Sequence, residues 1–231
     1  MSRAALVIAA AYGAYLLYAF GSGALYFYIH PVYVIPTLLT GLILLALAIL
    51  AARAPGASSP HAAPSPPAIV ALALPLALGF LLPPQPLSPV AAAQRGVETA
   101  SIGRVEAPAD WSVGRRPETY TIKDWVKAFQ ADPEPSRHAG TPVRVSGFVY
   151  RDERLPRDWF LVSRFVVQCC AVDAQPIGLP VRVAGGAPPE AGRWVAVEGV
   201  WEVAEAGGQR RAVIAPTAVT PIARPDQPYL Y

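Results

Sequence analysis

Charged residues are almost absent from the first 94 positions of this sequence. Arg3 and Arg53 are the only charged residues there, and all 16 acidic residues follow later. Charged residues make up 15% of the chain and hydrophobic residues 53%, whereas about a quarter of an ordinary soluble domain is charged. The imbalance predicts a membrane part followed by a soluble domain. Because positive and negative charges nearly balance after residue 94, the sequence does not indicate a nucleic-acid-binding protein.

Catalytic signatures are also missing from the sequence. It contains no Ser-His-Asp arrangement, no phosphate-binding loop and no dinucleotide fingerprint. Of the three histidines, His61 and His138 fall in proline-rich or polar stretches, where we expect solvated side chains. His30 lies between two apolar runs and is predicted at the membrane interface, as a solvated or capping residue. These absences predict a protein that is not an enzyme.

Cysteine occurs only twice, at the adjacent positions Cys169 and Cys170. The pair lacks the C-x-x-C spacing of zinc modules and thiol-redox enzymes. Neighbouring residues of a regular strand point to opposite faces, so binding of one ion by both cysteines requires an irregular backbone. Three interpretations stay open: a thiol buried for packing, a thiolate metal site completed by Asp173 with zinc as the candidate ion, and a strained vicinal disulfide.

Apolar runs predict three membrane-spanning helices within residues 1–83. The first run, residues 4–27, exceeds the roughly 20 residues that cross a bilayer, which favours a retained helix over a cleaved signal peptide. A second run covers residues 32–52. The third, residues 68–82, is short and contains a proline, so we weigh a re-entrant segment against a kinked span and favour the span.

The orientation of the chain follows from its two early arginines. Arg3 and Arg53 favour the cytoplasmic side under the positive-inside rule, and three crossings then place the C-terminal domain outside the cytoplasm. The predicted spans contain no acidic residue and no lysine, whereas ionisable groups inside the membrane usually mark ion paths. We therefore expect no pore from this chain alone.

Residues 84–118 are rich in proline, alanine and small polar residues and predict an extended tether. Thr121 and Asp124 then have the spacing of a capping box, and Ile122, Trp125 and Phe129 follow at helical intervals. This pattern predicts a short amphipathic helix whose apolar stripe, which also includes Val126, faces the core of a soluble domain.

Alternating apolar and polar residues predict five strands after this helix. They cover residues 143–149, 159–167, 179–183, 194–203 and 212–215. Asp173, Pro176 and Gly178 are interpreted as a turn, and Gly207-Gly208 as the turn of a hairpin between the last two strands. Five short strands and one helix predict a small all-β, OB-like barrel over residues 119–231.

The stretch from residue 164 to residue 178 (RFVVQCCAVDAQPIG) resembles the signature of the YcgQ-like family of two-part bacterial membrane proteins. Shorter pieces agree: YIHP at residues 28–31, QRG at 94–96 and GFV at 147–149. Members of that family often carry a histidine-rich loop between their second and third apolar segments, where this chain has only His61.

The resemblance implies a multi-pass protein of the bacterial cell membrane. It also implies a role as the non-enzymatic accessory subunit of a two-component permease, whose partner is a polytopic permease of the YcgR-like type. Because the resemblance concentrates there, Cys169, Cys170, Asp173, Arg164 and Pro176 are the candidate ligand or partner residues. The alternatives are a metal-binding or thiol-redox module on a membrane anchor, and a purely structural anchor. Membrane lipid is an expected partner and nucleic acid is not.

Overall fold

The structure of the protein is a computed structural model that describes residues 3–53, 65–99 and 116–231. The chain divides into two compact units. One contains Met1–Pro86 together with Cys169–Ala171, and the other contains Leu87–Gln168 and Val172–Tyr231. His61 and residues 100–115 of the predicted tether lie outside the described residues.

Helices dominate the first unit, as its uninterrupted apolar sequence predicts. They are α1 (Arg3–Gly21), α2 (Val34–Arg53) and α3 (Pro66–Leu81). Helices α1 and α2 are long and apolar enough to cross a membrane. Large side chains of α2 are exposed, including Ile43 at 58% and Leu50 at 64%, a pattern that suits a lipid-facing surface.

The third apolar helix corrects the predicted number of spans. It has 16 residues, and at 1.5 Å per residue it extends about 24 Å, less than the bilayer core of about 30 Å. Within the described residues, two helices rather than three have the length of a membrane span. Helix α3 instead packs on α1, where the Tyr12 hydroxyl donates to the Leu72 carbonyl at 2.8 Å and Tyr15 meets Phe80 edge to face.

A closed five-stranded barrel forms the main part of the second unit. Its strands are β2 (Pro142–Tyr150), β3 (Trp159–Val166), β4 (Gln175–Arg182), β5 (Trp194–Ala206) and β6 (Gln209–Pro221). They neighbour one another in the order β2, β3, β4, β6, β5, and β5 pairs with β2 to close the barrel. All five contacts are antiparallel except the β4–β6 contact, a parallel pairing at Val181 and Ile214. The predicted barrel with a short helix is confirmed.

Smaller elements complete this unit. They are α4 (Pro89–Arg95), β1 (Glu98–Thr99), α5 (Ile122–Ala131), α6 (Pro135–His138) and β7 (Tyr229–Leu230). Strand β1 pairs in parallel with β4, and β7 pairs in parallel with β3. Residues 87–99, which fall in the predicted tether, therefore belong to the barrel unit, and Ala92 and Val97 are buried there.

Helix α5 begins and packs as the sequence predicts. The Thr121 hydroxyl accepts the Asp124 backbone N–H, and the Asp124 carboxylate accepts the Thr121 backbone N–H, so the capping box is complete. Ile122, Trp125, Val126 and Phe129 are buried in the main barrel core. The apolar stripe is a core face, as predicted.

Strand β4 begins four residues before the predicted strand, which corrects the interpretation of Pro176 and Gly178 as turn residues. Both lie inside β4, where Pro176 pairs with Phe165 and Gly178 with Ser163. Proline is tolerated where a strand needs no hydrogen bond on one side. Among the residues that the structure describes, the far side of β4 pairs with the two residues of β1 and with a single residue of β6. The Gly207-Gly208 hairpin is confirmed, with φ angles of 60° and 73°.

Candidate functional site

The two cysteines lie in the connection between β3 and β4, residues 167–174, which we call the cysteine loop. Cys169 is exposed and Cys170 is half-buried. Their Sγ atoms are 3.6 Å apart and are not joined by a disulfide. The loop backbone thus departs from regular pleating and brings both sulfurs together. Binding of one ion by both cysteines requires such an irregular backbone.

The Asp173 carboxylate lies close to the two thiols. The ligand atoms of Cys169, Cys170 and Asp173 all lie within 4.8 Å of one another. One carboxylate oxygen of Asp173 also accepts the backbone N–H of Gln168 at 3.0 Å, which closes the loop on itself. The structure therefore brings together the three residues that the sequence grouped as candidate ligands.

The spacing of these atoms fits a tetrahedral metal ion. Zinc binds thiolate sulfur at about 2.3 Å, so two thiolates on one zinc tetrahedron are separated by about 3.8 Å. The observed Sγ–Sγ separation of 3.6 Å is close to that edge. A small movement of the loop would seat one ion between the sulfurs and the carboxylate.

Two hydrogen bonds fix the base of the cysteine loop on the barrel. The backbone N–H of Val167 donates to the carbonyl of Leu230 at 2.9 Å, and the Arg95 guanidinium donates to the carbonyl of Ala174 at 2.6 Å. Val167 and Ala174 are both buried. Arg95 was not among the residues predicted for the site. Two signals were available: it is the first charge after a long uncharged run, and it belongs to the QRG piece at residues 94–96.

His30 lies next to Cys169–Ala171, which belong to the same unit. Its backbone N–H donates to the Cys169 carbonyl at 2.9 Å, the Ala171 N–H donates to the Tyr28 carbonyl at 2.8 Å, and Ile29 and Cys170 form an antiparallel bridge. The His30 Nδ1 accepts the backbone N–H of Val32 at 3.2 Å. His30 therefore caps a short turn and is not a member of the ligand group.

Arg164 and Pro176 have structural contacts of their own. The Arg164 guanidinium donates to the carbonyls of Gln227 at 2.6 Å and Pro228 at 3.2 Å, and it lies over the Trp194 ring at 5.4 Å. Burial lowers the pKa of Arg164. These contacts hold the C-terminal segment on the barrel, while Pro176 is buried in β4.

His138 also differs from its predicted solvated state. Its ring meets Phe129 edge to face with centroids 4.4 Å apart, and its Nε2 lies 3.0 Å from the Asp132 carbonyl oxygen. The side chain is half-buried at the end of α6. It supports the packing of α5 and is distant in sequence from the cysteine loop.

The fold and the loop define a small barrel domain that carries two adjacent thiols and a carboxylate in one connection, in a chain with two apolar helices of membrane-spanning length. Residues 120–231, just under half of the chain, match the family model described as DUF1980 C-terminal domain. The match supports placing this part of the chain in the DUF1980 family. No curated protein and no solved structure matches the chain.

Proposed function

We propose that this protein is a non-enzymatic, membrane-anchored metal-binding protein that holds one zinc ion through Cys169, Cys170 and Asp173. The observation that carries the proposal is the approach of three ligand atoms to within 4.8 Å of one another in a five-residue stretch of loop. Two thiolates and a carboxylate suit zinc, because thiolate ligands select it over the hard cations that prefer oxygen.

The rest of the loop supports a metal-binding role over simple packing. A cysteine used only to fill the core is buried, whereas Cys169 is exposed. The loop ends are fixed by Leu230 and Arg95, so little freedom is lost when an ion binds. Such an outer layer of hydrogen bonds is the usual support of metal ligands.

Metal analysis of the full-length chain in detergent micelles tests this proposal. We expect one zinc per chain, and we expect Cys169→Ser, Cys170→Ser and Asp173→Asn each to weaken binding by at least about 10-fold. Val172→Ser is the matched control, because Val172 lies in the same loop, is 87% exposed and offers no ligand. Equal zinc content in the wild type and the three ligand variants would contradict the proposal.

A second proposal concerns the complex in which this metal site works. The YcgQ-like resemblance favours an accessory subunit of a two-component permease with a polytopic YcgR-like partner. The absence of acidic residues and lysine from α1 and α2 supports it, because a transport path then has to come from another protein. Gentle purification from native membranes should yield a stoichiometric complex with a polytopic protein. Specific metal flux through the purified chain alone in liposomes would contradict an accessory role.

The side of the membrane on which the barrel lies is also a proposal. Arg3 and Arg53 lie at the outer ends of the two candidate spans and favour the cytoplasm. An extracytoplasmic barrel therefore requires one more crossing after Arg53, and α3, although shorter than α1 and α2, is the apolar helix that follows. Labelling of Cys169 in intact cells by a membrane-impermeant maleimide is expected for the extracytoplasmic barrel. Labelling only after permeabilisation would mean two crossings and a cytoplasmic barrel.

A further inference from the structure

The cysteine loop offers three ligands where a permanent zinc site has four. Within residues 3–53, 65–99 and 116–231, the group of close potential ligands consists of Cys169, Cys170 and Asp173. Structural zinc sites are closed by four protein ligands, whereas sites with three protein ligands keep one position for an exchangeable ligand. An ion in this loop therefore has one coordination position that is not filled from the group.

An incoming ligand can reach this loop from solvent. Cys169 is exposed, and Val172, between Cys170 and Asp173, is 87% exposed. A buried ion is released only when the surrounding structure opens, but an ion on exposed thiolates can be approached directly. Access is thus built into the loop.

The frame of the loop consists of hydrogen bonds and packing within the protein. The Val167 N–H to Leu230 bond and the Arg95 to Ala174 bond are made by groups outside the ligand group, and the Gln168 N–H donates to one carboxylate oxygen of Asp173. Val167 and Ala174 remain buried in a core shared with Phe165 and Tyr229. The loop is thus anchored on a core made of the protein's own side chains, so we expect the barrel to stay folded when the ion leaves, unlike small domains that fold only with metal.

We infer that the loop is a transfer site, which carries its zinc as cargo and passes it to a thiolate or imidazole ligand of another molecule; this inference rests on the proposed function. The incoming ligand displaces a water molecule from the fourth position. Further ligands of the acceptor molecule then replace the carboxylate and the two thiolates in turn, and each thiolate that is released takes up one proton from solvent. No electron is transferred, and the zinc remains divalent throughout.

Cobalt substitution of the full-length chain in micelles tests the inference, with imidazole and 2-mercaptoethanol as the probes. Bound cobalt should give a sulfur-to-metal charge-transfer band, and each probe should shift the visible ligand-field bands with single-site saturation. Transfer of the metal to a chromophoric chelator should accelerate at least about 10-fold as the probe concentration rises to saturation, as expected when a fourth ligand enters before the protein ligands leave.

Two results would overturn the inference while leaving the proposed function intact. A normal charge-transfer band that neither probe affects, with transfer independent of probe concentration, indicates a closed site. A probe response seen only in His30→Ala, and not in the wild type, identifies His30 as the fourth ligand. A missing charge-transfer band in the wild type instead contradicts the proposed function itself.

Discussion

Two connections of the same barrel differ in length, in the chemical groups that they present and in how they are fixed. The turn between β5 and β6 consists of Gly207 and Gly208, both with positive φ, which is the shortest way to reverse a strand. The cysteine loop between β3 and β4 is longer, presents two thiols and a carboxylate, and is fixed at its base by Arg95 and Leu230. The barrel needs a turn at both places, so the additional length and chemistry of the cysteine loop are available for function.

The largest expected effect comes from removing the core beneath the cysteine loop. Phe165 is 2% exposed and packs with Val167 and Ala174, so Phe165→Ala should lower the free energy of unfolding by about 3–5 kcal/mol. Metal binding should weaken as well, because the loop base loses its support. Denaturant titration followed by tryptophan fluorescence measures the barrel, since four of the five tryptophans, Trp125, Trp159, Trp194 and Trp201, lie in the described part of the barrel unit.

The control for this experiment is Val172→Ala at the exposed tip of the same loop. We expect a change in unfolding free energy of less than about 0.5 kcal/mol, as for surface positions in general. If Phe165→Ala left metal affinity unchanged while destabilising the barrel, the loop would not depend on the barrel core as described.

A smaller effect is expected from substitution of Arg95. This substitution tests the support of the metal site separately from the stability of the barrel. Arg95→Ala removes the bond to the Ala174 carbonyl and should weaken zinc binding about 10-fold, the lower end for residues that support metal ligands. Isothermal titration of the full-length variant measures the affinity. Arg211→Ala is the matched control, because Arg211 donates to Gln209 beside the other turn and should leave zinc affinity unchanged.

A substitution in the Gly207-Gly208 turn should have the opposite pattern: it should lower the free energy of unfolding and leave zinc affinity unchanged. Gly208→Ala places a Cβ on a residue with φ of 73°, which costs about 1–2 kcal/mol of unfolding free energy. Zinc affinity should stay at the wild-type value. Gly208→Asn is the control, since asparagine adopts the left-handed conformation more readily and should recover part of the loss. A loss of zinc affinity in Gly208→Ala would remove the distinction between the two connections.

The smallest effect concerns acid stability and a third connection, between β2 and β3. Hydrogen bonds from Arg154 lower the pKa of Asp152 below its usual value. A lowered folded-state pKa contributes stability above the unfolded-state value of about 3.9, and this contribution is lost as the pH falls through the folded-state pKa. Because Arg154 is solvent-exposed, the contribution should be below about 1 kcal/mol.

Comparing the unfolding free energy of the wild type and Asp152→Asn between pH 6 and pH 2.5 measures it. The difference between the two proteins should shrink as the pH falls. A difference that is constant over this range would assign no stabilising role to the Asp152 carboxylate.

Much of the fold follows from local patterns in the sequence. The capping box of α5, the Gly207-Gly208 turn and the five strands are each specified by a few neighbouring residues, and the structure contains all of them. The early start of β4 was not predicted, because Pro176 and Gly178 usually interrupt strands. Their place in the sheet depends on what pairs with the far side of β4, which is decided by residues distant in sequence.

The candidate site shows the same division between local and distant information. The grouping of Cys169, Cys170 and Asp173 was visible in the sequence, because the three residues are close in the chain. The residues that fix the loop are distant from it in sequence. Arg95 lies 79 residues before Ala174, and Leu230 lies in the C-terminal strand β7. No local pattern links either residue to the loop. Helix α3 likewise has the composition of a span, and only its observed length of 16 residues separates it from α1 and α2.

Zinc binding through sulfur in the cysteine loop can be measured by X-ray absorption at the zinc edge of the full-length protein. We expect two sulfur ligands at about 2.3 Å together with oxygen at about 2.0–2.2 Å. The Cys169→Ser variant should lose one sulfur, and Val172→Ser should retain both. Oxygen and nitrogen ligands alone in the wild type would contradict zinc binding by the cysteines.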